Sequence, residues 1–252
     1  MKSCAGHAEQ TNGEDWKIQK SRGPVSMDSP DGRMSILPLY NRDWLTLDEI
    51  VEIEPFDETL IAQRLVPNDK GSELLVTLFQ PERMADHAFR EMSDHMHQAM
   101  RSLKRMIEMK APAGARLMPC ETLSVTIDRD PGSTFDFVSS VSSLPQWALR
   151  LIKSMSRPGG DWSARPRGTA RVRLHHEHGT GIADQHIIPE PGADFLVPVR
   201  VLPNNAGSEV TVTLFQPKGM PDLVFRDMLS RVRQELDVLR DLLKLRGFEK
   251  AA

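Results

Sequence analysis

The sequence predicts an α+β protein of two related units, each a curved antiparallel sheet wrapped on a long C-terminal helix. Three observations carry this expectation. The stretch Gly207 to Leu245, GSEVTVTLFQPKGMPDLVFRDMLSRVRQELDVLRDLLKL, runs from a strand pattern into an amphipathic helix pattern. Gly71 to Met109, GSELLVTLFQPERMADHAFREMSDHMHQAMRSLKRMIEM, is its twin 136 positions earlier, with Gly71, Ser72, Glu73, Val76 and Thr77 to Pro81 recurring unchanged. The register also extends upstream, pairing Asp48 with Asp184, Pro55 with Pro191, and Arg64-x-x-Pro67-Asn68 with Arg200-x-x-Pro203-Asn204. An offset of that size is a domain, well beyond the period of about 20–50 residues found in solenoids and propellers.

Composition is that of an ordinary globular chain: 252 residues, 39% hydrophobic, 27% charged, with a net charge of −3. So balanced a charge supplies no field for nucleic acid or an anionic membrane, and neither partner is expected. Cys4 and Cys120 stand far apart without metal-ligand spacing and are expected as free thiols in a reducing cytoplasm. The start, MKSCAGHAEQTNGEDW, lacks an apolar leader, and no run of about 18 apolar residues follows, so no membrane span is expected.

Taken in order, residues 1–14 are polar and read as a tail. Asp15-Trp16 and Arg22-Gly23 have counterparts in Asp161-Trp162 and Arg167-Gly168, so Met1 aligns inside a segment where the second copy is already under way. A start codon placed too far downstream is the expectation. Strands are predicted at Met34–Tyr40, Leu45–Ile53, Thr59–Val66 and Glu73–Phe79, separated by Pro, Asn, Asp and Gly turns. The first copy is about ten residues longer between its Trp and Asp48, and that insertion is placed in the Met27–Trp44 hairpin. A helix from Met84 to about Met109 carries Ala85, Phe89, Met92, Met96, Met100, Leu103 and Ile107 as one apolar stripe. The first unit is taken as residues 1–110, residues 111–120 as a linker, and the complete unit as residues 121–247.

The second unit opens with material the first lacks. Glu121 to Asp128 alternates Leu123, Val125 and Ile127 and is a half-buried strand; Asp130-Pro131 and Leu144-Pro145 each start a short helix. Strands resume at Ala170–His176, Gly181–Ile188, Asp194–Leu202 and Glu209–Phe215. The last helix, Asp222 to about Leu245, has Phe225, Met228, Leu229, Val232, Leu236, Leu239 and Leu243 as its stripe.

The residues ETLSVTIDRDPGSTFDFVSSVSSLPQW, Gly181-Ile182-Ala183-Asp184, Pro198 to Asn204, Gly207-Ser208-Glu209 and Thr213-Leu214-Phe215 resemble the START-like, helix-grip domains of the SRPBCC superfamily. That group includes polyketide cyclase/dehydrase-like and lipid-transfer proteins. The resemblance covers Glu121 to Arg246, and the later two-thirds of the fold in the first copy. It rests on packing and turn motifs, so it implies fold and not chemistry. It implies a cavity between sheet and long helix, closed at one end by the short helices, where a small hydrophobic or amphipathic ligand binds. Phe135, Trp147, Leu174, His176, His186, Phe215, Met228 and Val232 are the expected lining, with Arg200 fixing an acidic group or, with Arg64, pairing structurally with Asp48 and Asp184.

The run His175-His176-Glu177-His178 is the densest cluster of chemistry. Alternation sets Val172, Leu174, His176 and His178 on one face, where Asp184 and His186 are expected to meet them from the next strand. His176, Asp184 and His186 are the acid–base candidates for a cyclase-like enzyme, and solvated histidine is the alternative. No metal site and no cofactor are expected. His87, Glu91, Asp94 and His95 flank the first helix's apolar stripe and face solvent. Ligand binding leads, cyclase/dehydrase-like catalysis follows, and a non-ligand scaffold or co-chaperone-like module is third. The Glu73–Phe79 strand, lacking its neighbour, is expected to offer an edge for self-association.

Overall fold

The computed structural model describes residues 24–29, 32–53, 56–109, 117–155, 169–190 and 194–249. The expectations for Cys4, Trp16, the 1–14 tail, Ala111–Ala115 and Asp161–Trp162 lie outside them. Two antiparallel sheets form. The first runs β1 (Val25–Ser29), β2 (Gly32–Asn41), β3 (Thr46–Ile53), β4 (Thr59–Asn68) and β5 (Gly71–Leu78) in chain order, followed by α1 (Asp86–Glu108). After it come β6 (Cys120–Ile127), the short helices α2 (Pro131–Val138), α3 (Leu144–Trp147) and α4 (Leu149–Met155), then β7 (Thr169–Glu177) and β8 (Ile182–Glu190). The remaining elements are β9 (Phe195–Val197), β10 (Val199–Asn204), β11 (Gly207–Phe215) and α5 (Asp222–Glu249). The second sheet has the order β6-β11-β10-β8-β7, with β9 on β8. Pro198, which has no N–H to donate, divides the strand predicted over Asp194–Leu202. β6 starts at Cys120, inside the predicted linker.

Positions 136 apart repeat local geometry. Leu45 and Gly181 both lie in the left-handed region (φ 52° and 70°), as do Asp69 and Asn205 (both 52°). Leu65 N–H donates to the Leu45 carbonyl at 3.0 Å, and Val201 N–H to that of Gly181 at 2.8 Å. Pairing of Leu39 with Asp48 matches His175 with Asp184, and Met34 with Ile53 matches Ala170 with Pro189, so the extra residues of the first copy precede Met34.

The two long helices differ in what covers them. On α5 the predicted stripe is buried, from Phe225 at 7% exposure to Leu239 at 0%, in one cluster with β6, β8, β10, β11 and the short helices. α1 has a stripe of the same period but no buried residue: Phe89, Met92, Met96 and Met100 are half-buried, and Met106, Ile107 and Met109 stand open. A sheet closely wrapped on its helix thus holds for the second half and not the first. The physical reason is the missing cover. β11 carries β6 on its outer edge, whereas β5, of nearly the same sequence, ends its sheet among the described residues. None of the described helices is long and apolar enough to cross a membrane.

The halves are joined through crossed ion pairs. Arg64 on β4 grips Asp184 on β8 with two bonds of 2.7 and 2.6 Å, and Arg200 on β10 grips Asp48 on β3 with two more, one at 3.0 Å. Each carboxylate also accepts a backbone N–H at 3.1 Å, Asp184 from Val199 and Asp48 from Gln63. These partners are 136 apart as well. The same surface of each half therefore faces its counterpart about a local two-fold relation.

Candidate functional site

The site is built on the face of the second sheet that looks toward α5. On β7 and β8, Leu174 pairs with Gln185, His176 with Ala183 and Val172 with Ile187, so these six side chains share one face. Ala183 and Ile187 are in the buried cluster with Phe135, Trp147, Met228 and Val232, and Leu174 packs against it. Phe135, Trp147, Met228 and Val232 are brought together, each at 3% exposure or less, whereas Phe215, though buried, lies outside the cluster, out of phase along β11 with Val210, Val212 and Leu214. His176 and His178 meet Phe135 edge-on, with ring centroids 6.3 and 5.0 Å away.

The acid–base candidates do not converge. β7 and β8 pair odd with even residue numbers, so Asp184 and His186 share their face with His175 and Arg173, opposite to His176. His186 lies 4.7 Å from the His175 ring and 3.1 Å from an Asp194 carboxylate oxygen. Asp184 is spent on Arg64 and Val199. Arg200 also sits on the outer face, where Asp48 and the Thr180 carbonyl (2.9 Å) take its guanidinium. The expectation that His186 and Arg200 line the same space as Met228 and Val232 is corrected by strand alternation.

Gln185 is the residue that sequence reasoning missed. It is 0% exposed on the interior face, and neither its amide oxygen nor its amide nitrogen has a hydrogen-bond partner. The indole N–H of Trp147, 3% exposed, is likewise without a partner. Burying such groups unmatched costs about 1–3 kcal/mol each. The signal was present in the sequence: Gln185 falls in phase with Ala183 and Ile187, a polar residue on an apolar face.

α4 packs against one end of this cluster through Leu151. Its start is held by the Glu235 carboxylate of α5, which accepts the N–H groups of Arg150 and, at 3.0 Å, Leu151. Burial pushes the Glu235 carboxyl up to about 7, against the lowering effect of those two bonds and the Arg150 charge. At the β5 end, burial first and the Glu73 charge second push the Cys120 thiol up to about 11, which keeps it protonated and poorly nucleophilic. Among the described residues no group of three or more His, Cys, Asp or Glu could hold a metal ion.

Among the described residues, two sizeable concavities lie outside this core. One of about 770 Å³ lies between α2, α3 and the end of α5, lined by Arg129, Asp136, Phe137 and serines 133, 140, 142 and 143 among others. The other, about 490 Å³, lies between the halves.

No family model matches the chain, and no curated protein does. Solved structures similar to it include DynU16, a putative protein in the dynemicin biosynthetic locus (15% identity over 90% of this chain and 88% of that one, TM-score 0.32). Others are Ara h 8.0201 (16% over 50% and 97%, 0.34) and the di-domain ARO/CYC StfQ from the steffimycin biosynthetic pathway (14% over 89% and 84%, 0.34). Likenesses of this size leave the activity of the chain open.

Proposed function

We propose that the chain is a tandem pair of helix-grip units, the first incomplete, and that the second binds a small, neutral, hydrophobic or amphipathic molecule of the lipid or polyketide kind between its sheet and α5. The observation that carries this reading is Gln185, an amide buried in an apolar cluster with both ends unmatched. An acceptor and two kinds of N–H donor, from Gln185 and Trp147, suit a ligand bearing carbonyl or hydroxyl oxygens on an apolar body. On β7 and β8 the side chains that share the face of Gln185 are Val172, Leu174, His176, Ala183 and Ile187, with no carboxylate, lysine or arginine among them, which favours a neutral ligand.

Mass spectrometry of the purified protein, with a thermal-shift screen of lipids and polyketides, tests this directly. The expected result is a co-purified or stabilising neutral ligand whose binding weakens at least tenfold in Gln185→Leu. The same substitution keeps side-chain volume and removes the unmatched amide, so it should stabilise the ligand-free protein by about 1–3 kcal/mol. Binding unaffected by Gln185→Leu, or no ligand from the whole screen, would overturn the reading in favour of a scaffold. The cyclase-like alternative has narrower support: of the three acid–base candidates only His176 shares the face of Gln185. Turnover lost in His176→Ala but kept in His186→Ala would favour it.

A further inference from the structure

The cleft of about 490 Å³ between the halves is formed by both of them. Leu39, Ile50, Leu60 and Phe79 wall it from the first half, Pro131 and Leu202 from the second. Its volume is in the range of small-molecule sites, about 300–1,000 Å³. Leu39 and Ile50 stand where the second half has His175 and His186, so these two apolar walls belong to one side of the local two-fold relation, whereas Leu60 and Phe79 have Leu196 and Phe215 as counterparts.

Charge decides what such a cleft would hold. Arg200, the one cation lining it among the described residues, is neutralised by Asp48 and capped by the Thr180 carbonyl, so it has no fork left for an anion. Asp57 is matched by Arg83, which reaches it with bonds of 2.9 and 2.6 Å. That leaves Glu58 and Glu82, both lining the cleft, both exposed, and neither in an ion pair among the described residues. Arg83 stands beside Glu82, yet its guanidinium is spent on Asp57. The result is an apolar floor beneath an uncompensated acidic rim.

We propose that this cleft is a second binding site, separate from the interior of the second sheet, for an apolar molecule carrying a cationic amine. The body lies against Leu39, Ile50, Leu60 and Phe79, and the ammonium sits between Glu58 and Glu82. Phe79, also a lining residue, adds an aromatic ring that favours a cation. Exposed carboxylates attract weakly, so selectivity for charge is modest and falls with salt.

Calorimetric titration of the full chain at low salt with 4-phenylbutylamine, 4-phenylbutanol and 4-phenylbutyrate tests the proposal. The amine is expected to bind about five- to tenfold tighter than the alcohol, and the carboxylate more weakly than both. Glu58→Gln with Glu82→Gln should bring amine and alcohol to within about twofold of each other while leaving the alcohol's own affinity unchanged. Ile50→Trp, which fills the cleft, should abolish binding of both. Gln185→Leu should change none of these values, which separates this site from the interior one. Equal affinity of amine and alcohol, a preference that survives the double Gln variant, or binding that survives Ile50→Trp in a folded protein would each overturn it.

Discussion

Removing the Asp184 carboxylate is the sharpest test of how the halves are held. Arg64 is 7% exposed, and both of its terminal nitrogens bond to Asp184, at 2.7 and 2.6 Å. Its Nε already lacks a partner. Asp184→Ala would leave a guanidinium buried with no hydrogen bond from any nitrogen, and would also orphan Val199 N–H. Breaking one side of a buried pair typically costs about 3–5 kcal/mol, a large share of the roughly 5–15 kcal/mol by which domains are stable. Replacing both partners with apolar residues of similar size, Arg64→Met with Asp184→Leu, removes charge and partner together and should cost less than about 1–2 kcal/mol. The twin pair offers an internal control. Asp48→Ala leaves Arg200 its bond to the Thr180 carbonyl, and the Asp48 side chain is already 15% exposed, so the loss should be smaller. Urea unfolding of the full chain, followed by far-UV circular dichroism, measures all three variants. A loss below about 1 kcal/mol in Asp184→Ala, or a double variant as unstable as the single one, would refute the reasoning.

Other predictions follow from single positions. A Cβ on Gly181 would sit 2.0 Å from the Val201 carbonyl oxygen at φ 70°, so Gly181→Ala should cost about 3 kcal/mol or more. Its counterpart Leu45 holds the left-handed region at 47% exposure, so Leu45→Gly should be neutral or stabilise by up to about 1 kcal/mol in the same urea assay. With a folded pKa of about 7 against an ordinary 4.5, Glu235 stays protonated in the folded chain where the unfolded chain ionises. Its contribution is therefore full below pH 4.5 and lost as pH rises through 7, by at most about 3 kcal/mol. Glu235→Gln should remove that slope from urea midpoints measured between pH 4.5 and 8, and a slope that persists would clear Glu235 of it. The outer edge of β5 predicts concentration-dependent dimers in sedimentation velocity, whereas a monomer at every concentration would show that the edge does not pair.

What was legible in the sequence depended on which interactions are local. The α5 stripe, the Asp130 cap on α2 and the strand alternation of β6 are set by neighbours three, four or two residues away, and they were readable. The fate of α1 was not. Its stripe has the same spacing, but periodicity says which face is apolar and not whether anything covers it. The histidines failed for another reason. His176 and His186 have the same parity, and alternation alone puts them together; the turn through His178, Gly179, Thr180 and Gly181 joins Glu177 to Ile182, so facing residues differ in parity and the two separate.

The crossed Arg–Asp pairs explain why the interior of the second sheet is the place to look for a ligand. In most antiparallel sheets one face packs and the other meets water. Here the outer face of β8 and β10 is closed by the first half through Asp184 and Arg200, and the inner face by α5, so a polar side chain on either face must find a partner in protein or in a guest. On the outer face every carboxylate and guanidinium that the repeat supplies is matched across the local two-fold relation, save one Arg64 nitrogen. On the inner face Gln185 has no such counterpart, because the first half turns its outer surface to the second and cannot reach inside. Position 49, where the first half carries Glu in place of Gln185, is only partly buried, and Glu49 is tied to Gln63 at 3.1 Å. The unmatched amide is therefore a property of the closed half alone, and it arises where a covered sheet, a covering helix and a short-helix cap meet.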